Sequence, residues 1–163
     1  MIIFTPNTVI KSADVNLNFS DTDSRLNTLE TVTPMVFAWR PNGSTATVAG
    51  AAILVCTTAV INVGSCYNTS TGVFTANKAG KYYVGFTGFK NNDATTGALY
   101  IRQNSGATAQ YRNYTSGGIG YIPISINAIL NMAVNDTADI YIAAGLTMHT
   151  NESSELVIWY LGK

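Results

Sequence analysis

From Pro34 onward the apolar residues recur at every second position, and no other feature restricts the possible folds so strongly. In residues 122–132 the side chains of Ile122, Ile124, Ile126, Ala128, Leu130 and Met132 share one parity, with Ser125, Asn127 and Asn131 on the other. A period of two turns one set toward a core and the other toward a polar surrounding, which is a half-buried strand. Tyr82, Val84 and Phe86 alternate in the same way between Gly80 and Gly88, as do Leu99 with Ile101 and Ile140 with Ile142. Glycine, asparagine and threonine break up these short runs, the pattern of an all-β sandwich or jelly roll.

Two stretches depart from alternation. Residues 35–39 and 156–161 are apolar at both parities, and a strand buried on both sides needs a second covering layer. One sandwich core supplies one layer, so a neighbouring subunit is the expected second cover; loops of the same chain are the alternative. Charge usage points the same way. Only 11% of the 163 residues are charged, against about a quarter in ordinary domains, as expected of a surface partly hidden in an oligomer.

The first 33 residues read as an attachment segment, separate from a head at 34–163. Residues 1–10 look extended, and Ser12 followed by Asp14 supplies a helix cap and an early acid. A helix is expected to run to about Glu30, with Val15, Phe19, Thr22, Leu26 and Leu29 at spacings of four, three, four and three. That is a heptad seam with one polar layer, suited to a helical bundle, although packing on the chain's own head is the competing reading. Nucleation makes so short a helix marginal alone, so assembly elsewhere would have to hold it.

Chemistry is sparse. Nine basic and nine acidic residues cancel and are scattered singly, so neither nucleic acid nor membrane insertion is expected. Cys56 and Cys66 lack zinc-site spacing; two buried thiols are favoured, and sequence leaves a bridge open. The sole histidine, His149, reads as a solvated loop residue, and no acid cluster joins it at metal-ligand spacing. No Gly-x-Ser-x-Gly elbow is present. The acids of the head, Asp93, Asp136, Asp139, Glu152 and Glu155, read as solvated turn residues and not as a glycosidase pair. We therefore expect no enzyme, no metal and no cofactor.

Between Asn62 and Tyr82 the sequence reads NVGSCYNTSTGVFTANKAGKY, with Asn62, Gly64, Tyr67, Thr71, Gly72, Phe74, Gly80 and Tyr82 at a distinctive spacing. This resembles the globular-head family of the complement first component, relatives of tumour necrosis factor. The motif's residues are turn formers and buried aromatics, so its role is architectural. The resemblance extends over 34–163, although the family commonly has proline where Asn77 stands and phenylalanine where Val84 stands. It implies a ten-stranded TNF-like jelly roll assembled as a homotrimer, with Asn135-Asp136 turning the penultimate hairpin and residues 156–161 as the final central strand. On that reading Phe37, Trp39, Tyr83, Leu156, Ile158 and Tyr160 form the trimer core, and Val15, Phe19, Leu26 and Leu29 form the stalk seam.

The wording FTPNTVIKSADVNLNF over residues 4–19, above all Ala13-Asp14-Val15-Asn16 and Asn18-Phe19, resembles the amino-terminal segments of bacteriophage tail-fibre and other virion proteins. This resemblance implies a phage structural protein, assembled in a host cytoplasm and carried in the virion, whose N-terminal segment docks to other virion proteins. No basic-then-apolar stretch of signal-peptide length opens the sequence, in keeping with that expectation. A receptor-binding fibre is the leading role, and a capsid decoration or baseplate protein clamping neighbouring subunits is the alternative. Around the glycine-rich stretch 116–120, Tyr111, Arg112, Tyr114 and Tyr121 are the candidate contacts to a host-surface glycan or protein.

Overall fold

The computed structural model describes residues 33–40, 51–90, 96–106, 111–115, 120–143, 146–149 and 154–163, together with Asn16 and the helical residues 19–22. The chain divides into two compact units, Met1–Thr33 and Pro34–Lys163. In the first, residues 19–22 are helical and Phe19 is exposed, while Val15, Leu26 and Leu29 of the expected seam lie outside the described residues.

The second unit is all strand. The described residues form β1 Met35–Trp39, β2 Ala52–Ile53, β3 Thr58–Val63, β4 Tyr67–Asn68, β5 Val73–Thr75 and β6 Gly80–Lys90. They continue with β7 Gly97–Gln103, β8 Tyr111–Thr115, β9 Ile122–Met132, β10 Thr137–Ile142, β11 Met148–His149 and β12 Glu155–Gly162. Twelve strands, against the ten expected, are found among the described residues, and three of them, β2, β4 and β11, are only two residues long. Every pairing is antiparallel.

In the first sheet β9 runs along one side of the whole of β6, while β12 and then β11 occupy its other side; β1 and β3 follow β12. The second sheet is ordered β4, β5, β10, β7, β8, with β2 beside the end of β10. The alternation read from the sequence is the alternation observed: β9 is buried at Ile124, Ile126, Ala128, Leu130 and Met132 and exposed at every residue between them. These side chains meet Phe74, Leu99, Ile101, Ile140 and Ile142 of the second sheet in one core. Each fully buried side chain of this size contributes about 1.5–3 kcal/mol, so the sandwich is held chiefly by burial.

The turn residues account for the motif spacing. Asn62 brackets the Gly64-Ser65 turn: its Nδ2 donates to the Tyr67 carbonyl at 2.8 Å and its Oδ1 accepts from the Tyr67 N–H at 3.0 Å. Gly64 has φ +79, and a Cβ there would lie 2.5 Å from Asn77 Nδ2, so both conformation and space require glycine. Asn68 Oδ1 accepts from the N–H groups of Ser70 and Thr71, closing the next turn. Phe74 packs edge-on against Tyr82, ring centroids 5.4 Å apart, and the Tyr82 hydroxyl donates to the Lys78 carbonyl at 2.7 Å.

A second fastening lies between hairpins. Asp136 accepts from Ala133 N–H, Gln103 Nε2 and Asn104 Nδ2, tying the β9–β10 turn to the end of β7. Those hydrogen bonds, the one from Asn104 foremost, hold its carboxyl below the usual carboxylate range. Replacing Asn62 by alanine removes both bonds across the first turn and should cost about 1–3 kcal/mol in chemical denaturation; an unchanged denaturation midpoint would refute this account of the motif.

Candidate functional site

Parity in the first sheet places five strands' worth of side chains on the face turned away from the core. Following the register, Ile129 of β9 stands opposite Tyr83 of β6, Tyr83 opposite Trp159 of β12, Trp159 opposite Met35 of β1, and Met35 opposite Val63 of β3. This apolar row crosses the entire sheet. Ile129, Trp159 and Met35 are 54%, 49% and 37% exposed, so the described residues leave the row partly uncovered. Tyr83 and Trp159 have ring centroids 5.8 Å apart.

The next rung is Asn127, Gly85, Val157, Phe37 and Ile61, and the one beyond is Ser125, Thr87, Glu155, Trp39 and Thr58. The face therefore grades from aromatic to polar along the strands. Gly85 leaves a groove of about 320 Å³ between Tyr83 and Trp159 on one side and Thr87, Ser125 and Glu155 on the other. A separate bulge sits in β3, where the pairing shifts between Phe37 and Ala38 and leaves Val60 61% exposed.

This geometry sorts the residues expected in a trimer core. Phe37, Trp39 and Tyr83 lie on the uncovered face. Leu156 and Ile158 do not: they are buried in the chain's own core at 3% and 1% exposure. Tyr160 shares their parity, packs edge-on against Tyr82 at 5.2 Å and donates from its hydroxyl to the Ala79 carbonyl. The correction follows from the pleat, since adjacent residues of one strand cannot face one side. Their neighbours Val157, Trp159 and Met35 take the outward places, which reading the run as uniformly apolar had hidden.

The candidate receptor residues are spread out. Tyr111, Arg112 and Tyr114 lie along β8 in the second sheet, with Arg112 paired in register to Tyr100. Tyr121 precedes β9 of the first sheet, 57% exposed, and meets His149 edge-on with ring centroids 4.3 Å apart. His149 is thus a half-buried strand residue and not a solvated loop histidine.

Asp139 also departs from expectation. It is buried and accepts two bonds from Arg102, Nε at 2.7 Å and Nη2 at 2.9 Å, while that guanidinium lies 3.9 Å from the Tyr141 ring centroid. Fixed geometry and full pairing make this a cross-strand fastening between β7 and β10. Asp93 and Glu152 lie outside the described residues. Among the described residues no group of three or more His, Cys, Asp or Glu side chains could hold a metal.

Both cysteines are free and buried. Cys66 donates to the Val63 carbonyl at 2.8 Å, and the Cys56 N–H donates to the Tyr67 hydroxyl at 2.9 Å. Burial pushes the Cys56 thiol up from 9.0 to about 12 and raises Cys66 as well.

An all-β sandwich with one uncovered sheet face, fastened by turns and cross-strand pairs, is the build of a binding or assembly domain. The C1q domain model matches residues 37–157, and the chain belongs to that family. Among solved structures it resembles the globular domain of zebrafish complement 1qA protein, at 16% identity and TM-score 0.64 over 81% of this chain and 99% of that one. It also resembles Eiger TNF from S. frugiperda, at 14% identity and TM-score 0.62 over 80% of this chain and 94% of that one. Murine APRIL gives 10% identity and TM-score 0.59 over 80% and 100%. No curated protein sequence matches the chain.

Because folding raises both thiols' pKa, the folded state is favoured while they are protonated, and that contribution is lost as pH rises from about 9 toward 12. At pH 8 a thiol reagent should label neither cysteine until denaturant is added, and rapid labelling of the native protein would contradict their burial.

Proposed function

We propose that this chain is the homotrimeric head of a bacteriophage attachment fibre, docked to the virion by residues 1–33 and binding the host surface without catalysis. The observation that carries the assembly is the row of Ile129, Tyr83, Trp159, Met35 and Val63, apolar across five strands, with Ile129, Trp159 and Met35 exposed among the described residues. Leaving such a band in water forfeits about 25 cal/mol for each Å² that a neighbour would cover. Membership in the C1q family supports a binding role, and the threefold arrangement is the one expected for such heads.

The virion assignment rests on Ala13-Asp14-Val15-Asn16 and Asn18-Phe19, whose wording resembles phage fibre termini. Host contact would come from the region of Tyr111, Arg112, Tyr114 and Tyr121. Attachment by several weak contacts at once needs no deep pocket, because three linked heads act through effective concentration.

Light scattering of the purified chain should give three times the 17.4 kDa monomer mass; a monomer at micromolar concentration would remove the assembly premise. Replacing Tyr111 and Tyr114 together by alanine should lower adsorption to host cells at least tenfold with the mass unchanged. Full adsorption would show that these tyrosines are not the contact, and a threefold knob seen between capsomers of intact particles would favour decoration instead.

A further inference from the structure

The second sheet turns Leu99 and Ile101 of β7, and Ala138, Ile140 and Ile142 of β10, into the core. Alternation therefore puts Tyr100, Arg102, Asp139 and Tyr141 on the opposite face. Register sets Tyr141 beside Tyr100 and Asp139 beside Arg102. An antiparallel sheet turned to water ordinarily carries polar residues at such positions. Here two aromatic rings stand side by side instead, their centroids 6.3 Å apart and their planes tilted by 45°.

The neighbouring ion pair holds a donor group in place next to those rings. Asp139 is only 4% exposed although its parity is outward, and its two oxygens take Nε and Nη2 of Arg102. The same guanidinium lies 3.9 Å from the centroid of Tyr141. It is thus fixed by a carboxylate along one edge and by a ring against one plane. Joining β7 to β10 uses that one edge. Arg102 Nη1 and the Tyr141 hydroxyl make no hydrogen bond among the described residues, and the arginine side chain is 16% exposed.

We infer that Tyr100, Tyr141 and Arg102 form a binding platform for a neutral saccharide. A pyranose ring has an apolar C–H face, which the tyrosine rings can receive, and a rim of hydroxyls, which can accept from Arg102 Nη1 and pair with the Tyr141 hydroxyl. The ligand is neutral because Asp139 already cancels the guanidinium charge, so an anion gains no net attraction there. Fixing the donor before a ligand arrives lowers the ordering cost of binding. This inference rests on the attachment reading and deepens it by naming the ligand class. The platform belongs to the second sheet and the apolar row to the first, so assembly through that row leaves the platform open. Arg112 stands opposite Tyr100 in the register of β8, which brings one of the contact residues selected from sequence to the same rung.

Saturation-transfer NMR of the purified chain with cellotetraose, maltotetraose and chitotetraose, and with sialyllactose as an acidic comparison, tests the platform. Transfer to the ring C–H protons of at least one neutral probe is expected. Tyr141→Ala should lower that affinity at least tenfold with circular dichroism still reporting native sheet, and Arg102→Lys, which keeps the charge and loses the planar fork, should weaken it too. Tyr141→Phe removes only the hydroxyl, should weaken binding less, and serves if the alanine variant does not fold. No transfer to any neutral probe, binding of sialyllactose alone, or wild-type affinity in the Tyr141 variants overturns the platform. The attachment reading fails separately: saccharide binding that Tyr141→Ala abolishes, with adsorption to host cells unchanged, upholds the platform and removes its part in attachment. Adsorption that Tyr141→Ala abolishes without any saccharide binding refutes the saccharide and makes the ligand a protein.

Discussion

A sheet has two faces, and this chain supplies a cover for one face of its first sheet. The second sheet, through Phe74, Leu99, Ile101, Ile140 and Ile142, closes over Tyr82, Val84, Phe86 and Ile158. On the reverse, Ile129, Trp159 and Met35 remain 54%, 49% and 37% exposed. A low share of charged residues, 11% of the chain, and aromatic residues at outward positions accompany this asymmetry. The exposed row is costly in water for an isolated molecule.

The conserved-looking wording between Asn62 and Tyr82 belongs to a different task. Asn62 and Asn68 use side-chain amides to hold their turns, Gly64 and Gly72 occupy positions with positive φ, and Phe74 and Tyr82 lock together beneath them. Together with Asp136 and its donors from Gln103 and Asn104, they fix how the hairpins join. Turn chemistry of this kind sets strand register, and register decides which residues share a rung.

Electrostatics acts locally here. Arg102 is held by Asp139 and stacked on Tyr141, so this ion pair joins β7 to β10. Two buried thiols with raised pKa values add no reactive group. Membership in the C1q family agrees with a domain that works through its surfaces.

Alternation alone determined the all-β class and the inward residues of β6, β9 and β10, because a period of two survives any arrangement of the strands; the turn at Asn135-Asp136 came from the family resemblance. It also marked residues 35–39 and 156–161 as exceptional. Tertiary structure decided what was exceptional about them. Pairing in register sent Leu156, Ile158 and Tyr160 inward and Trp159, Val157 and Met35 outward, a distinction that a run apolar at every position cannot carry. The burial of Asp139 and the contact of His149 with Tyr121 were equally illegible, since each depends on a partner from a distant part of the chain. A sequence states which residues can face a core; only the closed sandwich settles which face is left without one.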